Sequence, residues 1–170
     1  RFSLPLARPL ATADGTISNR EGFVVRYDHR GETGVGESTP LPGWTESLVE
    51  CEAGLDAATE AERSDGHSGA LLELDALEVP AARHGFSTAL LDADARADGV
   101  PLYRWFDAGR NCRPVPVNAT VGDGDAGETA EAVPVSVDAG SDCVKVKVGN
   151  RPVAQDVDRL RAVWDRGGAG

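Results

Sequence analysis

Three patterns of apolar and polar positions follow one another along this chain. In the first forty residues the apolar positions come in short extended runs. Phe2 to Leu10 is apolar but broken by Pro5 and Pro9, which suits an edge strand. Glu21 to Tyr27 and Glu32 to Glu37 flank Asp28-His29-Arg30-Gly31, a turn cluster, and the three together predict a β-hairpin. The polar, small segment from Ala11 to Asn19 reads as a mobile loop.

From residue 40 the spacing becomes helical. Ser47-Leu48-Val49-Glu50 fits a capping box, and Leu48, Cys51, Leu55 and Ala58 fall on one face. The cluster Ser64-Asp65-Gly66-His67-Ser68-Gly69 is expected to end that helix. Pro80 opens the next, with Phe86, Ala89, Leu90 and Ala93 as a core stripe, and Asp98-Gly99 closes it before a short segment from Pro101 to Phe106.

The third pattern alternates strand and helix. Pro114 to Val121 is rich in β-formers, and a helix is expected from Ala126 to Ala139, kinked or shortened by Val133-Pro134-Val135. A second strand follows over Cys143 to Gly149, then a second helix with apolar residues at Val153, Val157, Leu160, Val163 and Trp164. Strand, helix, strand, helix is the order of a parallel α/β unit. The chain therefore divides into an α+β domain over residues 1–110 and the start of a βα domain over residues 111–170. Two such units cannot close a barrel, which takes about 250 residues in eight repeats. The first residue is Arg1 and the last are Gly167 to Gly170, a loop-like ending, so a piece is expected to be missing at each end.

Composition narrows the chemistry. There are 28 acidic residues against 17 basic ones, a formal charge of -11, which disfavours phosphate backbones and anionic membrane surfaces as partners. With 41% hydrophobic residues the chain has material for a core. No apolar run reaches the roughly 18 residues of a membrane span and no leader is apparent, so a cytoplasmic protein is expected. The acidic, Ala-rich and Asp-rich balance is similar to that of salt-adapted archaeal proteins. Cys51, Cys112 and Cys143 lack metal-site spacing and read as buried small residues. His29, His67 and His84 are scattered. Gly34-Val35-Gly36 lacks the third glycine of a dinucleotide fingerprint and reads as strand or turn. Asp92 and Asp94 lie two apart on a helix and face different ways.

Lysine is the informative residue. It occurs only at Lys145 and Lys147, leaving arginine at every other basic position. Two lysines placed at random in such a chain fall two apart about one time in a hundred. On a strand both point to one side while Val144, Val146 and Val148 point to the other. Buried side by side, two lysines would lower each other's proton affinity and leave a usable base, whereas arginine stays charged. Lys147 and Lys145 are thus candidate catalytic residues; the structural alternative is an edge strand with two solvated lysines.

Lys145-Val146-Lys147 at the end of a second barrel strand, after a mixed domain containing Leu41-Pro42-Gly43-Trp44-Thr45-Glu46-Ser47, resembles the muconate-lactonizing subgroup of the enolase superfamily. Leu4 to Leu10, Arg20-Glu21-Gly22, Gly34 to Pro40 and Ala82 to Asp92 look most like the o-succinylbenzoate synthase family. The resemblance implies an α+β capping domain followed by the first β/α units of an enolase-type barrel, incomplete in this chain. It implies Lys147 as acid/base and Lys145 as its support near the substrate carboxylate. It also implies substrate contacts at Thr120 and from a capping loop around Thr12 to Arg20.

The reaction implied is Mg²⁺-dependent removal of a proton next to a carboxylate, followed by loss of water, as in menaquinone biosynthesis. Racemisation, epimerisation or cycloisomerisation is the alternative within the superfamily, and a non-catalytic remnant is the alternative outside it. The family's Asp, Glu and Asp metal ligands fall on the third to fifth strands, beyond Gly170, so no residue here is assigned to metal. Asp123-Gly124-Asp125 reads as a turn. The implied partner is a small carboxylate substrate, with a homo-oligomer or a complementary barrel fragment left open.

Overall fold

A computed structural model describes residues 1–12, 15–41, 43–106 and 114–166. Ala13 and Asp14 of the expected loop, Pro42 of the capping motif, Cys112, Arg113 and the Gly167–Gly170 ending lie outside the described residues. The chain forms two compact units, one of Arg1–Leu10 with Thr16–Cys112 and one of Ala11–Gly15 with Arg113–Gly170.

In the first unit, β1 (Phe2–Thr12), β2 (Gly15–His29) and β3 (Glu32–Ser38) form a sheet in that order. The β2–β3 hairpin is antiparallel and runs from Phe23 opposite Ser38 to His29 opposite Glu32. Its turn places Arg30 and Gly31 at φ 54° and 82°, a left-handed region that glycine enters freely and arginine rarely does. The expected loop over residues 11–19 is corrected: β1 continues through Thr12 and β2 already begins at Gly15. Backbone pairing carries the strands past the residues that pack the core, and it is indifferent to polar side chains.

Two helices cover this sheet. α1 (Leu48–Ala76) starts at Ser47, where the capping box forms with Glu50. The break expected at residues 64–69 is only a kink: Gly66 adopts φ 68°, ψ -172°, and the helix resumes to bury Ala70 and Leu74. α2 (Pro80–Ala97) has Pro80 in its first turn and no cap from its own neighbour Val79. Its first N–H groups are instead met from a distance, Ala81 N and Ala82 N donating to Glu46 Oε2 and Oε1 at 3.0 and 2.7 Å. The core gathers Phe23, Cys51, Ala58, Leu74, Val79 and Phe86.

β3 lies against α2 with almost no side chain between them. A Cβ on Gly34 would overlap Ala89 O and Ala93 N; one on Gly36 would overlap Gly85 O; one on Gly85 would overlap Ser38 Oγ. The Gly34-Val35-Gly36 motif is therefore a close-approach surface for a helix backbone. α3 (Leu102–Phe106) closes the described part of this unit.

In the second unit, β4 (Ala119–Val121) pairs in parallel with β5 (Val144–Val146), and α4 (Ala126–Asp138) and α5 (Val153–Asp165) follow them. Both strands are shorter than their apolar runs. Pro114 and Pro116 have no N–H to give a ladder, so β4 begins only after them. α4 continues past Pro134 to Asp138, so the helix is not shortened, and its capping box joins Asp125 and Glu128. The face that α5 buries carries Asp156 and Arg159, whereas Val153, Leu160 and Trp164 remain exposed. Among the cysteines, Cys51 is buried as expected, but Cys143 is exposed because it precedes β5, where its carbonyl accepts from Ala119 N.

Candidate active site

The site is built on the ends of β4 and β5. Register places Thr120 beside Lys145 and Val121 beside Val146, so Thr120 and Lys145 share a face. Lys147 lies one residue past β5, yet its N–H still bonds Val121 O at 3.2 Å. Lys145 is exposed and Lys147 half-buried, so the premise of two buried lysines is corrected for Lys145.

A cavity of about 370 Å³ opens at these strand ends, lined by Thr12, Asp123, Lys145, Lys147 and Asn150 among others. Thr12 belongs with the second unit, and its hydroxyl donates to Gly15 O at 2.9 Å. Thr120 is exposed and stands outside the cavity lining. Arg20 belongs to the first unit, where its guanidinium donates to Thr39 O at 3.0 Å and Pro40 O at 3.4 Å.

Beneath the cavity is a charged cluster that reading by residue type missed, because arginine is ordinarily a surface residue. Arg159, 1% exposed, donates to Asp156 Oδ1, Lys147 O, Gly122 O and Thr129 Oγ1 at 2.8, 2.8, 2.9 and 3.1 Å. Asp156 Oδ2 accepts from Gly149 N at 2.7 Å. That backbone bond, with Arg159 behind it, holds the Asp156 carboxyl below the usual range. Asp123 Oδ2 accepts from Asn150 Nδ2 at 3.0 Å. Its buried Oδ1 is held by charge alone, 3.0 Å from Arg151 Nη2 and 3.6 Å from Arg159 Nη1. The Asp156–Arg159 spacing of three on a helix was the signal in the sequence that could have exposed this pair.

These assignments decide the metal question for the described residues. Asp123 is committed to Arg151 and Asn150, and Asp125 caps α4. No group of three or more His, Cys, Asp or Glu able to hold a metal ion occurs among the described residues. They do not fit a Mg²⁺ centre.

Away from the site, the structure joins two of the scattered histidines. The His29 and His67 rings lie 5.6 Å apart, and His29 Nε2 is 3.5 Å from Asp94 Oδ1.

An antiparallel sheet with helices, then parallel strands each followed by a helix, is the element order of the start of an enolase-superfamily fold. A solved structure of a mandelate racemase/muconate lactonizing protein from Herpetosiphon aurantiacus matches 99% of this chain and 49% of its own, with TM-score 0.83 and 26% identity. The o-succinylbenzoate synthase structure from Thermosynechococcus elongatus, complexed with magnesium in its active site, matches 96% of this chain and 46% of its own, with TM-score 0.65 and 28% identity.

More narrowly, the family model described as MenC, N-terminal domain, matches residues 1–93, and the chain belongs to that family. Among curated relatives, o-succinylbenzoate synthase of Thermosynechococcus vestitus is 31% identical over 95% of this chain and 45% of its own length. Aromatic dipeptide epimerase of Herpetosiphon aurantiacus is 30% identical over 95% of this chain and 47% of its own length. The chain thus spans about half the length of the curated relatives it matches.

Proposed function

We propose that this chain contributes the lysine half of an enolase-superfamily site, where Lys147 takes a proton from the carbon next to a substrate carboxylate. The observation that carries this reading is that the chain's two lysines, Lys145 within β5 and Lys147 just past it, line one cavity. Lys147 Nζ accepts the proton on its lone pair, and Lys145 offers N–H donors to the carboxylate beside it. Thr12, which lines the same cavity, is a proposed substrate contact, and Thr120, beside Lys145 in register, is a second. The cation such chemistry uses, Mg²⁺, would be held by the part of the family fold that this chain does not span.

The reaction we favour is dehydration to o-succinylbenzoate in menaquinone biosynthesis, in the cytoplasm, with a small carboxylate as substrate. The family match supports it. Epimerisation of a dipeptide is the second reading, favoured by an epimerase relative at nearly the same identity as the synthase. A site in which Lys147 exchanges the α-proton serves either.

The deciding experiment follows substrate in deuterated water with Mg²⁺, for this chain alone and combined with the remaining strands of a relative's barrel. Deuterium entering the α-position without loss of water marks an epimerase; loss of water to an aromatic product marks the synthase. In either case Lys147→Ala is expected to lower exchange by about 10²–10⁴-fold. Exchange that persists in that variant would remove Lys147 as the base.

A further inference from the structure

Arg159 is the largest fully buried side chain among the described residues, and its contacts are concentrated in an unusual place. Two of its four hydrogen bonds go to backbone carbonyls that immediately follow the two strands, Gly122 O after β4 and Lys147 O after β5. A third reaches Thr129 in α4, and the fourth, to Asp156, stays on α5. Burying such an ion pair is a poor route to stability, since apolar residues of similar volume commonly serve as well or better. What an apolar residue cannot do is hold two carbonyl oxygens at fixed positions. Lysine could not do it either, because its donors diverge from a single nitrogen, whereas guanidinium presents a planar fork.

Lys147 needs such a hold. It lies past the end of β5, where the ladder fixes its N–H on Val121 O but leaves its carbonyl to find another partner. Arg159 supplies that partner at 2.8 Å. With both polar backbone atoms fixed, the direction in which the side chain leaves the strand is fixed too. Lys145 sits within β5, paired with Thr120, and none of the four Arg159 bonds reaches it.

We infer that Arg159 is a positioning residue for Lys147: its guanidinium pins the backbone just past β5 and so aims the Lys147 amine into the cavity, while leaving Lys145 to the strand. This rests on the reading of Lys147 as the base, although its test does not require turnover.

Because lysine occurs at only two positions, both can be followed individually in the full chain. Reductive methylation with ¹³C-formaldehyde gives two side-chain signals, assigned with Lys145→Arg and Lys147→Arg. In Arg159→Gln the Lys147 signal is expected to shift and the Lys145 signal to stay. Arg159→Lys keeps a cation between Asp123 and Asp156 but cannot span both carbonyls. In both variants amide exchange at Lys147 is expected to quicken about tenfold or more, with Lys145 within about twofold of the native rate.

If both lysines respond together, if neither responds, or if Arg159→Lys fails to fold, Arg159 is merely structural and the inference is overturned. Persistent α-proton exchange in Lys147→Ala would instead overturn the proposed base while leaving these lysine-resolved results standing, so the two failures are distinct.

Discussion

Glu46 caps a helix that begins 34 residues after it, accepting Ala82 N at 2.7 Å on one carboxylate oxygen and Ala81 N at 3.0 Å on the other. Both bonds are charge-assisted and buried, and Val79 offers α2 no side-chain cap in their place. Glu46→Ala should therefore cost about 2–3 kcal/mol of unfolding free energy, and Glu46→Gln, which keeps an acceptor, distinctly less. Urea denaturation of the two variants beside the parent chain measures this; equal losses would show that the carboxylate does not act as a cap.

Tyr27 provides an alkaline test. Burial, reinforced by its hydrogen bond to Glu62, pushes the Tyr27 phenol up to about 12. A folded-state value above the unfolded one of about 10 means that its contribution is complete below that pH and is lost as pH rises towards 12. Absorbance at alkaline pH should show a late-ionising tyrosine that disappears in Tyr27→Phe. The variant should also lose part of the stability decline across that window.

At the acid end the sign reverses. Asp156 is held below the ordinary carboxylate range, chiefly by Gly149 N–H, so its contribution is present above the unfolded value of about 3.9 and fades as pH falls through the depressed one. Asp156→Asn is expected to be less stable at neutral pH, with a shallower decline on acidification. Parallel acid titrations of stability would contradict this assignment.

Gly36→Ala should be among the most damaging single-methyl changes in the first unit, because the new Cβ meets Gly85 O, a backbone atom that cannot move aside. Overpacking of this kind costs about 1–3 kcal/mol. Gly31→Ala is the comparison: nothing lies within 4 Å of its added Cβ, and its cost comes from the positive φ of 82° alone. Thermal melts of the pair separate the two causes.

With a formal charge of -11, the chain should gain stability from salt. Raising KCl from about 0.1 to about 1 M shortens the screening length from about 10 to about 3 Å and relieves self-repulsion. The melting temperature is expected to climb across that range, while sucrose of equal osmolality produces a smaller change. A flat response to KCl would remove self-repulsion as a factor.

The features legible in the sequence are those whose cause is local. Ser47 with Glu50, Asp28 to Gly31, and Pro80 each carry their own geometry. What escaped has a distant cause. Nothing near Pro80 in the chain reveals that Glu46 caps it. The polar composition of residues 15–19 resembles a loop, although strand pairing there depends on backbone groups that every residue carries. Gly66 looked like a terminator because its backbone freedom is visible and the buried Ala70 and Leu74 that restart the helix are not. Arginine is ordinarily a surface residue, and the acceptors that explain the burial of Arg159, the carbonyls of Gly122 and Lys147 among them, are 37 and 12 residues away in the chain.

The stretch where β3 meets α2 also acts as a measuring scale. Gly34, Gly36 and Ser38 step along the strand by about 6.7 Å, and Ala93, Ala89 and Gly85 step back along the helix by about 6 Å, so the two rulers nearly coincide over this span. A shift of one residue would bring Phe86 or Leu90 onto a strand that has room only for backbone. Helix and sheet therefore engage at discrete stops, and the position of the whole helix along the sheet is set by six missing or minimal side chains, three on each element.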